Sequence, residues 1–155
     1  MRFLLLVIFA ATLILGAGVI RDVWSTLAPD ETRPVPRDRA LAARGRPLYR
    51  QHCADCHGPK LGGERQAPGG ARPAPPHDAA GSTYEKPDAG LLALIRDGKG
   101  RMPAFGDTLD ARQRRAVLAF IKRHWTSAQY QQQFVLSRAE WQERLDGTGA
   151  DGGRP

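Results

Sequence analysis

The chain has little of what small proteins use to hold a loop-rich structure together. Only two cysteines occur among its 155 residues, Cys53 and Cys56. A disulfide between them would close a loop too short to stabilise much, so a disulfide framework is excluded. Glycine and proline are abundant instead, at 17 and 12 residues. A loop-rich domain of this size therefore needs another source of stability, such as a metal or a cofactor.

The scarcity of cysteine also limits the metal and redox chemistry available to the chain. A tetrahedral zinc site needs two further ligands at suitable spacing, and His52 and His77 are the nearby candidates. A thioredoxin-like dithiol needs a strand-helix-strand setting, which the sequence pattern does not predict. The basic residues are scattered and have no aromatic platform beside them, which disfavours nucleic acid as a partner.

The net charge of +7 resides in the middle of the chain. Residues 38–126 contain 16 Lys and Arg against 9 Asp and Glu, a charge of +7, and the two flanks cancel. Such charges often form nothing more than a solvated surface. The alternative is a docking face, for which the expected partner is a protein with an acidic surface.

One long apolar run lies at the start of the chain. Residues 3–20 carry no charged side chain, and this length reaches that of a membrane span. The alternative is a cleaved signal peptide, for which residues 16–18 (Gly-Ala-Gly) offer a poor cleavage site. We expect residues 1–22 to form an N-terminal membrane anchor, with the chain beyond them exported.

Three further segments follow the apolar run. Residues 23–38 contain three prolines and mixed charge, which predicts an extended tether. Residues 39–126 form the folded domain, and residues 127–155 a helical C-terminal extension with a disordered end. Ser137 with Glu140 predicts a capping box inside this extension.

Helical periodicity alternates with irregular chain in the folded domain. Residues 39–49 are compatible with a helix, although Pro47 predicts a kink or a restart. A short helix is predicted after the cap Asp88, and a last helix after the capping box of Asp110 and Gln113. The proline- and glycine-rich stretch between the first two helices needs something to pack against, and a buried cofactor would supply it.

The sequence Cys53-Ala-Asp-Cys56-His57 has the C-x-x-C-H spacing of a haem attachment motif. On one helical turn Cys53 and Cys56 share a face, where both sulfurs can reach the two vinyl groups of a porphyrin. His57 is then placed to bring an imidazole nitrogen to the iron. The motif predicts one covalently attached haem c, held by Cys53, Cys56 and His57.

The stretch from about Leu41 to Trp125 resembles a class I monohaem cytochrome c. The resemblance rests on the C-x-x-C-H motif, on the downstream segment Arg101-Met102-Pro103-Ala104-Phe105, and on a final helix with Phe120 and Trp125. It implies an all-α cytochrome c fold, with three to four helices and long Pro/Gly-rich loops wrapped around one covalent haem.

The resemblance also implies two contacts inside the domain. Gly45 would lie where the first and last helices cross at close range. A proline carbonyl in the loop would accept the other ring hydrogen of His57 and so fix its tautomer. The candidates for this carbonyl are Pro68, Pro73, Pro75 and Pro76.

Met102 is the candidate for the second axial ligand of the iron. Apart from Met1 it is the only methionine, and Pro103 restricts its backbone towards an extended shape. A lone methionine is more often core filler, but its context after a C-x-x-C-H motif favours ligation. His52, His77 and His124 are the rival ligands.

A haem ligated by His57 and Met102 has no open coordination position, so no small-molecule substrate reaches the iron. The expected function is one-electron transfer by a carrier, not an enzyme, with redox proteins that have acidic docking surfaces as partners. The expected location is a bacterial inner membrane, single-pass, with the haem domain on the periplasmic side. The alternatives are a haem-bearing redox subunit of a larger respiratory membrane complex and, less favoured, a haem peroxidase.

Overall fold

The computed structural model describes residues 30–151, with side chains as far as residue 147. In this part of the chain every regular element longer than a two-residue bridge is helical, which confirms the predicted all-α class. A two-residue antiparallel bridge joins Lys99 to Met102. The helices are α1 (Arg39–His52), α2 (Ala54–His57), α3 (Asp88–Asp97), α4 (Ala111–Lys122) and α5 (Ser127–Asp151), with 3-10 turns at Pro68–Gly70 and Thr83–Glu85.

The domain is built on the crossing of α1 and α4. A Cβ atom added at Gly45 would lie 1.9 Å from the carbonyl oxygen of Ala116 and 2.8 Å from the nitrogen of Val117. Only glycine allows the two backbones to approach this closely. One turn further along α1, the ring of Tyr49 packs against Phe120 with centroids 5.2 Å apart. The predicted role of Gly45 is therefore confirmed.

Both crossing helices begin at an aspartate cap. Asp38 accepts a hydrogen bond from the N–H of Leu41, and Asp110 forms the predicted capping box with Gln113. The predicted restart at Pro47 is wrong, because α1 is continuous through this residue. Pro47 removes the hydrogen bond to the carbonyl of Ala43, but both residues lie on the exposed face, where water can satisfy that carbonyl.

The start of α3 differs from the prediction at Asp88. Pro87 occupies the N-cap position, and Asp88 is the first helical residue. Its carboxylate is fully buried and accepts hydrogen bonds from the N–H of Val35, from Lys122 and from Gln133. The Asp88 oxygens therefore accept hydrogen bonds from residues far away in the sequence. In a capping residue they would accept from the first N–H groups of its own helix.

Helix α5 is one continuous element that packs against the rest of the domain. Ser137 does not cap a helix, because its side chain is buried in the middle of α5. The Ser137 hydroxyl donates to the carbonyl of Gln133 at 2.9 Å and accepts from the N–H of Asp88 at 3.0 Å. The helix extends to Asp151, into the segment expected to be disordered, and residues 152–155 lie outside the described part.

In the part of the chain that the structure describes, no helix is both long and apolar enough to cross a bilayer. The longest helix, α5, carries charged side chains along its length, among them Arg138, Glu140 and Arg144. This finding contradicts the predicted single-pass localisation in a bacterial inner membrane with the haem domain on the periplasmic side, and that prediction is corrected. Residues 1–22, on which the predicted anchor depended, lie outside the described residues.

Candidate functional site

The two cysteines lie at the junction of α1 and α2. The N–H of Cys53 donates to the carbonyl of Tyr49 at 2.9 Å, and the N–H of His57 donates to the carbonyl of Cys53 at 2.8 Å. These bonds form one helical turn, residues 53–57, that contains the whole motif and is called the attachment turn below. Cys53 is half-buried, Cys56 is exposed, and neither forms a disulfide.

The environment of Cys53 disfavours the dithiol alternative. Burial raises the pKa of the Cys53 thiol to about 11, and the neighbouring Cys56 adds to the shift. A redox-active dithiol works through a thiolate, which requires a lowered pKa. The Cys53 sulfur therefore carries little thiolate near neutral pH, which disfavours disulfide exchange.

His57 is almost completely buried, and one of its ring nitrogens already has a partner. Its Nδ1 atom lies 2.9 Å from the carbonyl oxygen of Pro75. A carbonyl only accepts hydrogen bonds, so Nδ1 carries the proton and Nε2 keeps its lone pair. The prediction that a loop proline supplies this carbonyl is confirmed, and the proline is Pro75. The tautomer that results is the one that an iron ligand requires.

His77 stacks on the ring of His57, with centroids 3.9 Å apart and 23° between the planes. Its Nδ1 atom lies 2.9 Å from the hydroxyl of Thr83, and its carbonyl accepts the indole N–H of Trp125 at 3.0 Å. Burial, with a smaller contribution from His57, lowers the pKa of His77 to about 3. If His57 held the iron, a second ligand would have to come from the side away from His57, so this stacking argues against His77 as that ligand.

The other two histidines are occupied elsewhere. The ring of His52 makes an edge contact with Phe105, at 5.9 Å between centroids. His124 is exposed, and its Nδ1 atom lies 3.0 Å from the carbonyl of Phe120 in its own helix region.

Residues 98–106, which contain Met102, form a tight turn after α3 that is called the methionine turn below. Lys99 and Met102 exchange backbone hydrogen bonds of 3.0 and 3.1 Å. Gly98 makes the turn possible: its φ is +71°, and an added Cβ would lie 2.5 Å from the carbonyl oxygen of Met102. Met102 is half-buried and packs on the same apolar core as Cys53 and Phe105. The fold thus brings the methionine segment and Cys53 to the same apolar core.

Sequence reasoning missed the ion pair that joins the Met102 segment to the loop after the attachment turn. Arg101 contacts Glu64 with N–O distances of 2.9 and 3.3 Å, although 37 positions separate them. Hydrogen bonds from Arg101 and from the N–H of Ala74 hold the pKa of Glu64 below its usual value. No sequence pattern marks a pair of this kind, because each residue lies in irregular chain.

The residues of the site fit a covalently attached haem. Two thiols three positions apart, an imidazole with a free Nε2 lone pair and a half-buried thioether are the donors that such a group uses. Zinc is not supported, since residues 30–151 contain no group of three or more His, Cys, Asp or Glu that could hold a metal ion. Phe105, Tyr84 and Leu48 lie partly buried on the core as apolar packing surface.

These features define a c-type cytochrome. The profile of the family described as "Cytochrome C oxidase, cbb3-type, subunit III" matches residues 40–121, more than half of the chain, and the chain belongs to this family. Neither the comparison with curated proteins nor the comparison with solved structures gave a match. Family membership agrees with the all-α cytochrome c fold and with haem-based electron transfer as the general function.

Proposed function

We propose that the chain is a one-electron carrier with a single haem c, attached through Cys53 and Cys56 and ligated by His57 and Met102. The observation that carries this proposal is the turn at residues 53–57. Two free thiols lie there beside a buried imidazole whose Nδ1 proton is already donated to Pro75. The family match over residues 40–121 includes this turn and the Met102 segment.

The bound haem would supply a one-electron couple between Fe(II) and Fe(III). The protein would supply the ligands and their surroundings. The carbonyl of Pro75 holds the His57 ring in the tautomer that leaves Nε2 available. A thioether from Met102 would favour the reduced state and raise the potential. With His57 and Met102 both bound to the iron, no small molecule would reach it at rest, which supports a carrier and not an enzyme.

Partner proteins with acidic surfaces are the proposed donors and acceptors. The charge of residues 38–126 is +7, and several basic side chains near the site are exposed in the structure. Complementary charge raises association rates more than it raises affinity, which suits brief contacts between redox proteins. The exposed lysines and arginines of the loop at residues 58–87 and of the turn at residues 98–106 are Lys60, Arg65, Arg72, Lys86, Lys99 and Arg101.

A second candidate function is that of a haem-bearing subunit in a larger oxidase complex. The description of the matching family names a subunit of a cytochrome c oxidase, which favours this candidate. Helix α5 adds 25 residues beyond the segment that the family profile covers. Native purification from the source organism distinguishes the two: a carrier elutes alone, whereas a subunit elutes together with other oxidase subunits.

The proposal is tested by the absorption and attachment of the haem in protein from a host that matures c-type cytochromes. A denaturing gel stained for haem should show the group still bound, and a pyridine haemochrome spectrum should report two thioether bonds. Cys53→Ser and Cys56→Ser should each leave one such bond and shift that spectrum. A spectrum of the wild type with no covalent haem would refute the proposal.

A further inference from the structure

A continuous series of contacts connects the two proposed axial ligands outside the iron. It begins at His57, whose Nδ1 donates to Pro75, the neighbour of Ala74. Ala74 is paired with Glu64 through two hydrogen bonds: its N–H donates to the Glu64 carboxylate, and its carbonyl accepts the N–H of Glu64, both at 3.0 Å. The loop that supports the imidazole is thus fixed to the Glu64 side chain.

Arg101 completes the series at the other end. Two nitrogens of its guanidinium donate to the Glu64 carboxylate at 2.9 and 3.3 Å. One of them also donates to the carbonyl of Arg72 at 3.3 Å. Met102 is the next residue in the chain. A two-pronged arginine–carboxylate pair fixes direction as well as distance, in a way that a single contact does not.

The methionine turn has few other ties to this loop. Its backbone bonds run between Lys99 and Met102, from Phe105 to the carbonyl of Ile95, and from Gly106 to that of Arg96. These bonds connect the turn to itself and to the end of α3. Within residues 30–151, the hydrogen bonds that join residues 98–106 to the loop of residues 58–87 come from Arg101.

We propose that Glu64 and Arg101 are positioning residues that hold the Met102 turn against the loop supporting His57, and so limit how readily Met102 gives up the iron. The inference rests on the proposed ligation by Met102. The Glu64 side chain is 19% exposed and that of Arg101 41%, so the pair lies at the surface with the carboxylate partly covered. Loss of the pair would free the turn to move outwards while α3 and the core remain in place.

Imidazole binding to the ferric holoprotein measures this directly. Imidazole takes the sixth position only after Met102 leaves, so the rate at saturating imidazole reports how often the methionine dissociates. Glu64→Gln and Arg101→Gln should each raise this rate roughly two- to fivefold, the range expected for losing one exposed ion pair. The double variant should be no faster than the faster single variant, because both substitutions break the same pair.

Two further variants serve as controls. Arg101→Lys keeps the charge but loses the two-pronged contact, so its rate should lie between those of the wild type and Arg101→Gln. Glu140→Gln removes one carboxylate from a surface ion pair with Arg144 on α5. This variant should leave the imidazole rate at the wild-type value, which separates the local pair from a general effect of charge.

The results separate this inference from the ligation on which it rests. If wild-type ferric protein lacks the sulfur-to-iron charge-transfer band, Met102 is not the ligand and both ideas are wrong. If the band is present but neither glutamine variant changes the imidazole rate, the positioning role alone is wrong. A glutamine variant that unfolds more easily at an unchanged imidazole rate would likewise assign the pair a purely structural role and refute the inference.

Discussion

Asp88 and Lys122 form an ion pair in which both side chains are fully buried, with 2.7 Å between carboxylate and ammonium. Lys122 also donates to the carbonyl of Val35 at 2.8 Å, and Asp88 also accepts from the N–H of Val35 and from Gln133. Burial lowers the pKa of Lys122, and the Asp88 carboxylate opposes that shift. The pair therefore joins the segment before α1 to α3, α4 and α5.

Breaking this pair from either side should destabilise the protein strongly. Asp88→Asn and Lys122→Met each leave one buried charge without its partner, which costs about 3–5 kcal/mol of the free energy of unfolding. The measurement is urea unfolding of the holoprotein followed by far-ultraviolet circular dichroism. Glu140→Gln, which breaks an ion pair at the surface, should cost less than about 1 kcal/mol. A similar small loss for both buried variants would contradict the prediction.

Two neighbouring glutamines offer a test of how α5 docks. Gln133 is fully buried and donates to the Asp88 carboxylate at 2.5 Å and to the carbonyl of Lys86 at 3.2 Å, whereas Gln132 is exposed. Gln133→Ala should lower the free energy of unfolding by about 1–3 kcal/mol, since it leaves buried acceptors without a donor. Gln132→Ala should stay within about 0.5 kcal/mol of the wild type. Equal effects would mean that the two positions are equally solvated and that α5 is not docked through Asp88.

Gly45 can be tested against a second glycine that has room for a methyl group. An added Cβ at Gly45 would collide with the backbone of Ala116, whereas one at Gly62 would meet nothing within 4 Å. Gly45→Ala should therefore cost at least about 1–3 kcal/mol of the free energy of unfolding, because the helices must separate. Gly62→Ala should be close to neutral. Urea unfolding checks both, and a stable Gly45→Ala variant would show that α1 and α4 do not cross in contact.

How far the sequence predicts the site depends on whether a residue's role is local. Cys53, Cys56 and His57 lie on one helical turn, and Asp110 caps the helix that it precedes, so spacing alone predicts these features. The close helix crossing at Gly45 and the loop proline that contacts His57 were predicted from the resemblance to a known family. The Pro75 carbonyl is one of four that the sequence offered, and the choice among them depends on how the loop folds back over His57.

Residues whose partners come from distant segments could not be assigned in this way. Asp88 has the local signature of a helix cap, yet its oxygens bind Val35, Lys122 and Gln133, between 34 and 53 positions away. Ser137 has the signature of a capping box, but its burial against Asp88 decides its role. In both cases a tertiary hydrogen bond replaces the local one that the pattern predicts.

The positive charge predicts opposite salt effects for small redox reagents of opposite sign. Reduction of anionic ferricyanide by the ferrous protein should slow as ionic strength rises, while reduction of cationic tris(phenanthroline)cobalt(III) should accelerate. Between about 0.01 and 0.15 M salt the screening length falls from about 30 to about 8 Å, so the change should occur in this range. Stopped-flow absorbance at the haem bands provides the measurement.

Matched variants locate the surface responsible for this effect. Lys99, in the methionine turn, and Arg138, on α5, are both exposed, and replacing either by glutamine removes one positive charge. Lys99→Gln should weaken the salt dependence with ferricyanide more than Arg138→Gln does. Equal slopes for the two variants, or a flat rate in the wild type, would mean that the basic residues near the site are ordinary solvated surface.

Replacement of Met102 tests the one proposed ligand that the attachment motif does not itself provide. Met102→Ala should leave the haem attached, because the proposed covalent bonds are those to Cys53 and Cys56 and do not involve Met102. Water or added ligands should then bind the ferric iron, and the sulfur-to-iron charge-transfer band should disappear. The potential should fall, since the thioether favours Fe(II). Each decrease of about 30 mV corresponds to roughly 0.7 kcal/mol for a one-electron couple.

The competing histidine gives this experiment its control. His77→Leu removes the imidazole that stacks on His57, but it should leave the charge-transfer band in place, because His77 lies on the side of His57 and not opposite it. If the band instead survives Met102→Ala and is lost in His77→Leu, then the loop must rearrange around the haem and Met102 is core filler. If the band is lost in Met102→Ala and kept in His77→Leu, the sixth ligand is Met102, because the two substitutions alter different faces of the haem.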